Sequence, residues 1–267
     1  MKHSLAFILV LLLSGCAIFG DPTEFDETKG WNVDRLYNEA EALMRSRDYE
    51  KAIDYFQKLE SRYPHGRYAT QAQMEIIYAY YKQGDPISTI SAADRFIKLH
   101  PNHPNIDYAY YMKGLATFNQ RGIVEKLTEQ QISDRDPKSL RESFLSLKEL
   151  VTRYPNSRYI KDANLRMTYL VNTLAAHEMH VARYYMKRKA YVAAVNRAEY
   201  VLENYPASTS VEEALVVMVS AYDYLGMQDL KQDTLRVLQT NYPNSKMLAG
   251  GAPGDKRVWW KFWESLY

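Results

Sequence analysis

Residues 33–64 read VDRLYNEAEALMRSRDYEKAIDYFQKLESRYP, and this stretch decides the fold of the chain. It contains two runs in which apolar residues recur at steps of three and four, the spacing that places them on one face of an α-helix. The first run ends near Met44 and the second begins at Tyr49, so only residues 45–48 separate them. Pro64 then ends the second run, because proline lacks the amide donor that a continuing helix needs. The stretch therefore predicts a helical hairpin that ends at a proline.

The proline that ends this hairpin recurs along the chain behind an aromatic or imidazole ring. The five steps are Tyr63-Pro64, His100-Pro101, Tyr154-Pro155, Tyr205-Pro206 and Tyr242-Pro243. In the first hairpin Ala40, Ala52 and Phe56 stand where the tetratricopeptide repeat has small residues at the helix crossing and an aromatic ring on the second helix. Alanine lets two backbones approach closely, and the ring fills the space beside it. We therefore predict an all-α fold, an α-solenoid of about five tetratricopeptide-like helical hairpins, each contacting only its neighbours.

The predicted solenoid covers residues 32–245 and forms one elongated domain. Its hairpins are expected at about residues 33–64, 69–101, 106–155, 159–206 and 209–243. The third is long because residues 122–136 are polar and charged, which predicts a loop inserted between its helices. The fourth is long because residues 159–189 contain neither glycine nor proline, so its first helix can run for about thirty residues.

Residues 1–15 are predicted to be a lipoprotein signal peptide. Lys2 supplies a positive charge, and residues 5–13 form an apolar run that is too short to span a bilayer. Two small residues and then Cys16, the only cysteine of the chain, follow this run. We expect cleavage before Cys16 and covalent attachment of an N-acyl and an S-diacylglycerol lipid to it. A plain secretory signal with an incidental cysteine is the alternative.

The segment between the lipid and the fold, residues 16–31, is expected to be a flexible tether. Residues 21–30 are polar, include Pro22 and Gly30, and have no apolar period. Ala17 stands where an aspartate would favour retention at the inner membrane. We therefore expect a protein anchored by its lipid to the outer membrane, on the periplasmic side.

The last part of the chain, residues 246–267, differs in composition from the repeats. It begins with a linker rich in glycine and proline and ends in RVWWKFWESLY, residues 257–267, which contain three of the four tryptophans. Tryptophan beside lysine and arginine suits a membrane interface or a groove on a partner. A capping helix folded onto the last hairpin, or a disordered end, is the other interpretation.

The sequence lacks the side-chain constellations that enzymes use. It has no glycine-rich phosphate loop, and His177 and His180 are three residues apart instead of the four that a metalloprotease helix requires. The formal net charge of +2 is too small to indicate a nucleic-acid-binding surface. We therefore predict a protein that is not an enzyme and that binds neither a metal, nor a nucleic acid, nor any cofactor besides the lipid.

Several stretches resemble the BamD (ComL) family of lipoproteins of the outer-membrane β-barrel assembly machinery. They are YPHG at 63–66, PNHPNIDY at 101–108, SDRDP at 133–137, YPNS at 154–157 and VNR at 195–197. The resemblance runs from Cys16 to about Tyr242, and the second and third of these motifs are far more specific than the repeat itself. The Trp-rich tail departs from the pattern of this family.

The resemblance implies a scaffold of five hairpins at the periplasmic face of the outer membrane. The implied partners are a BamA-type barrel protein, other lipoproteins of the assembly machinery and unfolded outer-membrane proteins. Arg197 matches a family arginine linked to the BamA contact, and Asn196 adjoins it. Asp134 and Arg135 belong to the shared SDRDP loop. These four residues are the candidates for partner binding, although a solvated surface is the simpler interpretation of the loop.

The family's N-terminal hairpins are implied to receive C-terminal segments of unfolded barrels, which are extended and end in an aromatic residue. Rings in a groove would suit such segments. The candidates for the groove are Tyr78, Tyr81, Tyr108, Tyr111 and Phe118. Two other functions remain open: a cell-wall-associated or division-related lipoprotein of the same repeat class, and a wall hydrolase, against which the missing catalytic residues argue.

Overall fold

The computed structural model describes residues 26–119 and 137–245, which contain ten α-helices and no strand. The helices are α1 (Val33–Ser46), α2 (Tyr49–Arg62), α3 (Arg67–Gln83), α4 (Pro86–Leu99), α5 (Ile106–Asn119), α6 (Pro137–Arg153), α7 (Ile160–Lys187), α8 (Tyr191–Asn204), α9 (Val211–Leu225) and α10 (Gln228–Asn241). The predicted all-α class with tetratricopeptide-like hairpins is confirmed for this part of the chain.

The chain divides into two compact units, residues 1–79 and residues 80–267, with the division inside α3. In the first unit α1 packs on α2. In the second unit each helix from α4 to α10 packs on the next, and α7 also contacts α9. The single elongated domain that the sequence predicts over residues 32–245 stays a prediction.

The helices begin and end where the side chains predict. Asp48 caps α2 by accepting a hydrogen bond from the amide of Lys51 at 3.3 Å, and Asp85 caps α4 in the same way ahead of Pro86. The residue before each repeated proline donates its amide to the carbonyl four residues earlier, as Tyr63 does to Leu59 at 2.8 Å. The proline that follows has no amide to extend this ladder, so the helix stops there.

Small residues occupy the helix crossings. Ala40, Ala52 and Phe56 are all fully buried in the first hairpin, as the repeat pattern predicts. In the second unit Gly114 of α5 lies against Leu147 of α6, where a Cβ atom would come within 2.9 Å of the leucine Cγ. Alanine and glycine therefore allow the close approach of helices on which this packing depends.

The end of the expected tether is in contact with α2. Arg62 donates hydrogen bonds to the carbonyl oxygen of Thr28 at 2.7 Å and to its hydroxyl at 2.8 Å, and Thr28 is fully buried. Glu27 pairs with Lys51 at 2.7 Å. The sequence expectation of a flexible tether extends to residue 31, but ion pairs, hydrogen bonds and a Trp31–Tyr55 ring contact hold residues in the range 26–31. Contacts of this kind leave no apolar period in a sequence.

Several predicted features lie outside the described residues. These are the signal peptide, Cys16, most of the tether, the loop with Asp134 and Arg135, and the Trp-rich tail. Within residues 26–119 and 137–245, no helix is long and apolar enough to cross a membrane. The same ranges contain no group of three His, Cys, Asp or Glu side chains that could hold a metal ion.

Candidate partner-binding site

Arg197 lies on the outward face of α8. Ala194, Ala198 and Val201 of this helix are fully buried in the core of the second unit, whereas Asn196 and Arg197 are exposed. The apolar residues recur at steps of three and four and fix the rotation of α8 about its axis. The core therefore turns both predicted partner-binding residues of this helix toward solvent.

A buried carboxylate holds the Arg197 side chain. Glu178 of α7 has only 10% of its side chain exposed, against 45% for Arg197, and its Oε2 atom lies 3.2 Å from a guanidinium nitrogen of Arg197. A carboxylate at this depth needs a partner to offset the loss of its hydration. A guanidinium has five N–H donors in a rigid plane, so Arg197 can satisfy Glu178 and still present donors outward.

A second arginine reinforces the positive charge at this place. Arg141 of α6 is exposed and also interacts with Glu178. A hydrogen bond with Tyr205 is the main cause that raises the pKa of Arg141 above its ordinary value, and the charge of Glu178 adds to it. Two arginines thus interact with one buried carboxylate. We call Arg141, Glu178, Arg197 and Tyr205 the arginine site.

Four of the five predicted groove residues belong to the second unit, and three of them take part in two separate groups of ring contacts. The ring of Tyr111 stacks on Tyr159 with a centroid distance of 4.4 Å and an interplanar angle of 12°. Tyr108 lies 6.0 Å from Tyr159, and Phe118 lies 5.8 Å from Tyr169. We call these five residues the aromatic cluster. All of them are partly exposed, so their ring edges and faces can meet another molecule.

An ion pair orders the aromatic cluster from one side. The hydroxyl of Tyr111 donates to Asp162 at 2.7 Å, and Asp162 pairs with Arg166 at 2.6 Å. The guanidinium of Arg166 lies 5.1 Å from the centre of the Phe118 ring, within cation–π range. Burial, followed by the hydrogen bond to Asp162, raises the pKa of Tyr111 to about 12, while Arg166 lowers the pKa of Asp162.

The two remaining groove candidates differ in their placement. Tyr81 interacts electrostatically with Arg166 and so lies near the aromatic cluster. Tyr78 belongs to the first unit, where 39% of its surface is exposed. The sequence reasoning named Tyr108, Tyr111 and Phe118 but missed Tyr159 and Asp162, which begin the next hairpin. The Asp162–Arg166 spacing of four residues is the signal that could have indicated a pair on one helix face.

The profile of the YfiO family, described as outer membrane lipoprotein, matches residues 31–246. A relative from Neisseria meningitidis, named outer membrane protein assembly factor BamD, is 44% identical over 98% of this chain and 99% of its own length. The family profile ends at residue 246, so the departure of the Trp-rich tail from the family stays a prediction.

Relatives of the same name from Xylella fastidiosa (strain 9a5c) and Vibrio cholerae are more distant. The first is 38% identical over 94% of this chain and 86% of its own length. The second is 35% identical over 86% of this chain and 96% of its own length. The chain therefore belongs to the YfiO family of outer membrane lipoproteins, and with it to the family of the outer membrane protein assembly factors named BamD.

Proposed function

We propose that this protein is a lipid-anchored scaffold of the outer membrane protein assembly complex. The observation that carries the proposal is the match, over nearly the whole of both chains, to a relative named outer membrane protein assembly factor. In this role the protein is not an enzyme, and it uses no cofactor besides the lipid on Cys16. The lipid holds it to the periplasmic side of the outer membrane, and its hairpins present binding surfaces to other proteins.

The arginine site is the proposed contact with a BamA-type barrel protein. Arg197 presents N–H donors outward from a position that Glu178 holds, and Arg141 adds a second positive charge. The matching feature of a partner is a carboxylate that pairs with the Arg197 guanidinium, an arrangement that guanidinium geometry favours. Asn196, exposed on the same helix, supplies an amide donor and acceptor beside it.

The aromatic cluster is the proposed contact with unfolded outer-membrane proteins. Its rings form two contacting groups, and the Asp162–Arg166 pair touches both of them, so a bound segment adds ring contacts without first ordering the site. An aromatic pair of this kind contributes about 1 kcal/mol beyond its area burial. A cluster of several such rings suits an extended strand that ends in an aromatic residue.

The experiment is affinity purification of the full lipidated chain from detergent-solubilised outer membranes. We expect the wild-type chain to recover a barrel protein with periplasmic repeats. Arg197→Glu places a like charge against the partner carboxylate and is expected to lower this recovery at least about tenfold, the equivalent of 1.4 kcal/mol. Recovery of muropeptides in place of a barrel protein would favour the cell-wall function.

Arg153→Glu is the matched control. Arg153 has 58% of its side chain exposed and pairs with Glu149 at 3.0 Å, so it resembles Arg197 as an exposed arginine in an ion pair, although Glu149 is less buried than Glu178. It lies on α6, outside the arginine site. We expect this variant to recover the barrel protein as the wild type does. Equal losses in both variants would assign the effect to net charge and contradict the role of Arg197.

A further inference from the structure

Two turns between helices meet in the second unit. The turn between α7 and α8 is followed directly by Tyr191, and the turn between α9 and α10 comes directly after the last turn of α9, which contains Tyr224. The rings of these two tyrosines stack face to face, with a centroid distance of 4.6 Å and an interplanar angle of 5°. The stacked pair therefore joins the two turns into one surface.

Apolar side chains around the stacked pair are open to solvent. Val192, which follows Tyr191, is 57% exposed. Tyr224 is 48% exposed, and Met227, which lies in the turn after it, is 45% exposed. Exposed apolar residues scattered singly are ordinary, whereas a group of them at one place marks an interaction site. The two turns therefore present an apolar surface that is suited to contact with another surface.

A run of positive charge passes through the same place. Residues 179–198 contain five Lys and Arg side chains and no Asp or Glu. Three of the five are consecutive, and Lys187, Arg188 and Lys189 are all exposed at the end of α7 and in the turn that follows it. Lys189 has a φ of 60°, and the turn between α9 and α10 has Gly226 with a φ of 73°. A basic residue thus stands where this backbone conformation favours glycine.

The acidic residues of the adjoining turn do not cancel this charge. Asp223 pairs with Lys231 at 2.7 Å, so its charge is already offset. Asp229, exposed in the first turn of α10, is one carboxylate against three basic side chains. The surface therefore keeps an excess of positive charge. We call the three consecutive basic residues, with the apolar residues around the stacked tyrosines, the turn patch.

The chemistry of the turn patch fits a bilayer that carries anionic phospholipid headgroups. Basic residues beside a membrane are attracted to such headgroups. Tyrosine and aliphatic side chains next to them suit the boundary between the headgroups and the acyl chains. The patch residues lie on turns and helix ends instead of in a groove between helices, which suits a flat surface better than an extended segment. The chain belongs to a family of outer membrane lipoproteins, so a bilayer is the surface beside which it works.

We propose that the turn patch docks on the anionic phospholipid surface of the membrane that anchors the chain. The basic side chains contact phosphate groups, while Val192, Tyr224 and Met227 enter the headgroup layer. The lipid on Cys16 and the turn patch are then two separate attachments, which together orient the second unit against the bilayer. This inference rests on the membrane anchoring proposed above and not on either of the proposed protein contacts.

An environment-sensitive dye at position 227 of the full lipidated chain tests the docking. Cys16 is the only cysteine and carries the lipid in the proposed anchor, so Met227→Cys can be labelled selectively. The labelled chain is reconstituted into vesicles of phosphatidylethanolamine with phosphatidylglycerol, and into vesicles of phosphatidylcholine alone. We expect a blue shift of the dye and quenching by brominated lipids in the first vesicles only. A dye at Val237→Cys is the control, since Val237 is 46% exposed but lies about 15 Å further along α10.

A charge variant tests the basic residues of the turn patch. Lys187→Gln, Arg188→Gln and Lys189→Gln together are expected to lower the ratio of docked to undocked patch at least about tenfold, as read from the dye at position 227. The matched control removes the same charge from three exposed positions elsewhere in the second unit and is expected to leave this ratio unchanged. The control positions, each changed to Gln, are Lys148, Arg153 and Arg236.

Three results would overturn the proposal. They are equal dye emission in the two kinds of vesicle, equal losses in the two triple variants, and a blue shift that appears only when a barrel partner is added, because the patch would then serve a protein. Failure of the lipid anchor has a different signature, since the chain would then float with neither kind of vesicle. A chain that floats with both kinds and shows no shift at position 227 would contradict the docking alone.

Discussion

The arginine site and the aromatic cluster both centre on an acid–arginine pair that includes a carboxylate of α7, but the two pairs are built in opposite ways. In the arginine site the carboxylate of Glu178 is the buried partner and the cation of Arg197 points outward from another helix. In the aromatic cluster the cation of Arg166 is the less exposed partner, at 29% against 43% for Asp162, and both belong to α7. The first arrangement presents charge to a partner, whereas the second uses charge to hold rings in place.

The largest expected effect follows from removing the cation of each pair. Arg197→Leu removes the ion-pair partner of the buried Glu178 carboxylate and leaves it only the longer-range charge of Arg141, so we expect the free energy of unfolding to fall by about 2 kcal/mol. Arg166→Leu breaks a pair between neighbouring turns of one helix, and the expected loss is about 0.5 kcal/mol. Urea unfolding followed by circular dichroism measures both. Similar losses in free energy of unfolding for the two variants would show that the carboxylates of the two ion pairs do not differ in how deeply they are buried.

The double variant Arg197→Leu with Glu178→Gln is the control for this interpretation. A neutral amide does not carry the hydration cost of a buried carboxylate, so the second change should restore about 1 kcal/mol of the loss. Arg166→Leu with Asp162→Asn should restore nothing measurable, because 43% of the Asp162 side chain is exposed and water already hydrates its carboxylate. If the first double variant recovers no stability, the loss in free energy of unfolding would come from the lost packing of the aliphatic part of Arg197 and not from the loss of its charge.

The second prediction concerns what each site binds. Tyr159→Ala removes the ring that contacts both Tyr108 and Tyr111, so we expect the affinity for a barrel C-terminal peptide to fall about fivefold, equivalent to about 1 kcal/mol. Recovery of the barrel partner should not change. Fluorescence anisotropy of a labelled peptide measures the first quantity and affinity purification the second. Loss of partner recovery in this variant would mean that one surface serves both ligands.

Tyr184→Ala is the control for Tyr159→Ala. Tyr184 is a half-exposed tyrosine of α7 that packs edge-on against Tyr185 and lies outside the aromatic cluster. It loses a comparable ring, so a nonspecific loss of aromatic surface would affect both variants equally. We expect the peptide affinity of the Tyr184 variant to match that of the wild type.

The repeat pattern predicts the fold well because it records packing. Ala40, Ala52 and Phe56 are small or aromatic for reasons of space, and their spacing is visible in a single sequence. The same holds for the prolines that end the helices and for α7, which runs for 28 residues where the sequence lacks glycine and proline. Local periodicity is therefore enough to place the helices within residues 26–119 and 137–245.

The sites are less predictable because their contacts join distant residues. Glu178 stands nineteen residues before Arg197, and a glutamate on a helix has the same appearance in a sequence whether it is buried or exposed. Asp162 and Tyr111 are fifty-one residues apart. The resemblance to a family supplied Arg197, and its role in partner binding stays a prediction, but only the structure supplies the carboxylate that holds it.

The smallest expected effect is a change in how the free energy of unfolding depends on pH, and it concerns Tyr111 of the aromatic cluster. The pKa of Tyr111 is raised to about 12 from an ordinary value of 10, first by burial and then by its hydrogen bond to Asp162. Because the folded protein holds this proton more tightly than the unfolded chain, the stabilisation is complete below pH 10 and is lost as the pH rises toward 12. The free energy of unfolding should therefore decrease across this range, and Tyr111→Phe should make the decrease shallower.

Tyr222 also has a pKa of about 12, owing to burial and Glu199, so part of the decrease remains in the variant. Urea titrations at pH 9, 10 and 11 measure the difference between the two slopes, with Tyr184→Phe as the control. Identical slopes for the wild type and the Tyr111 variant would mean that neither burial nor the Asp162 contact raises the pKa of Tyr111, and the ion pair would then lose its role in ordering the rings.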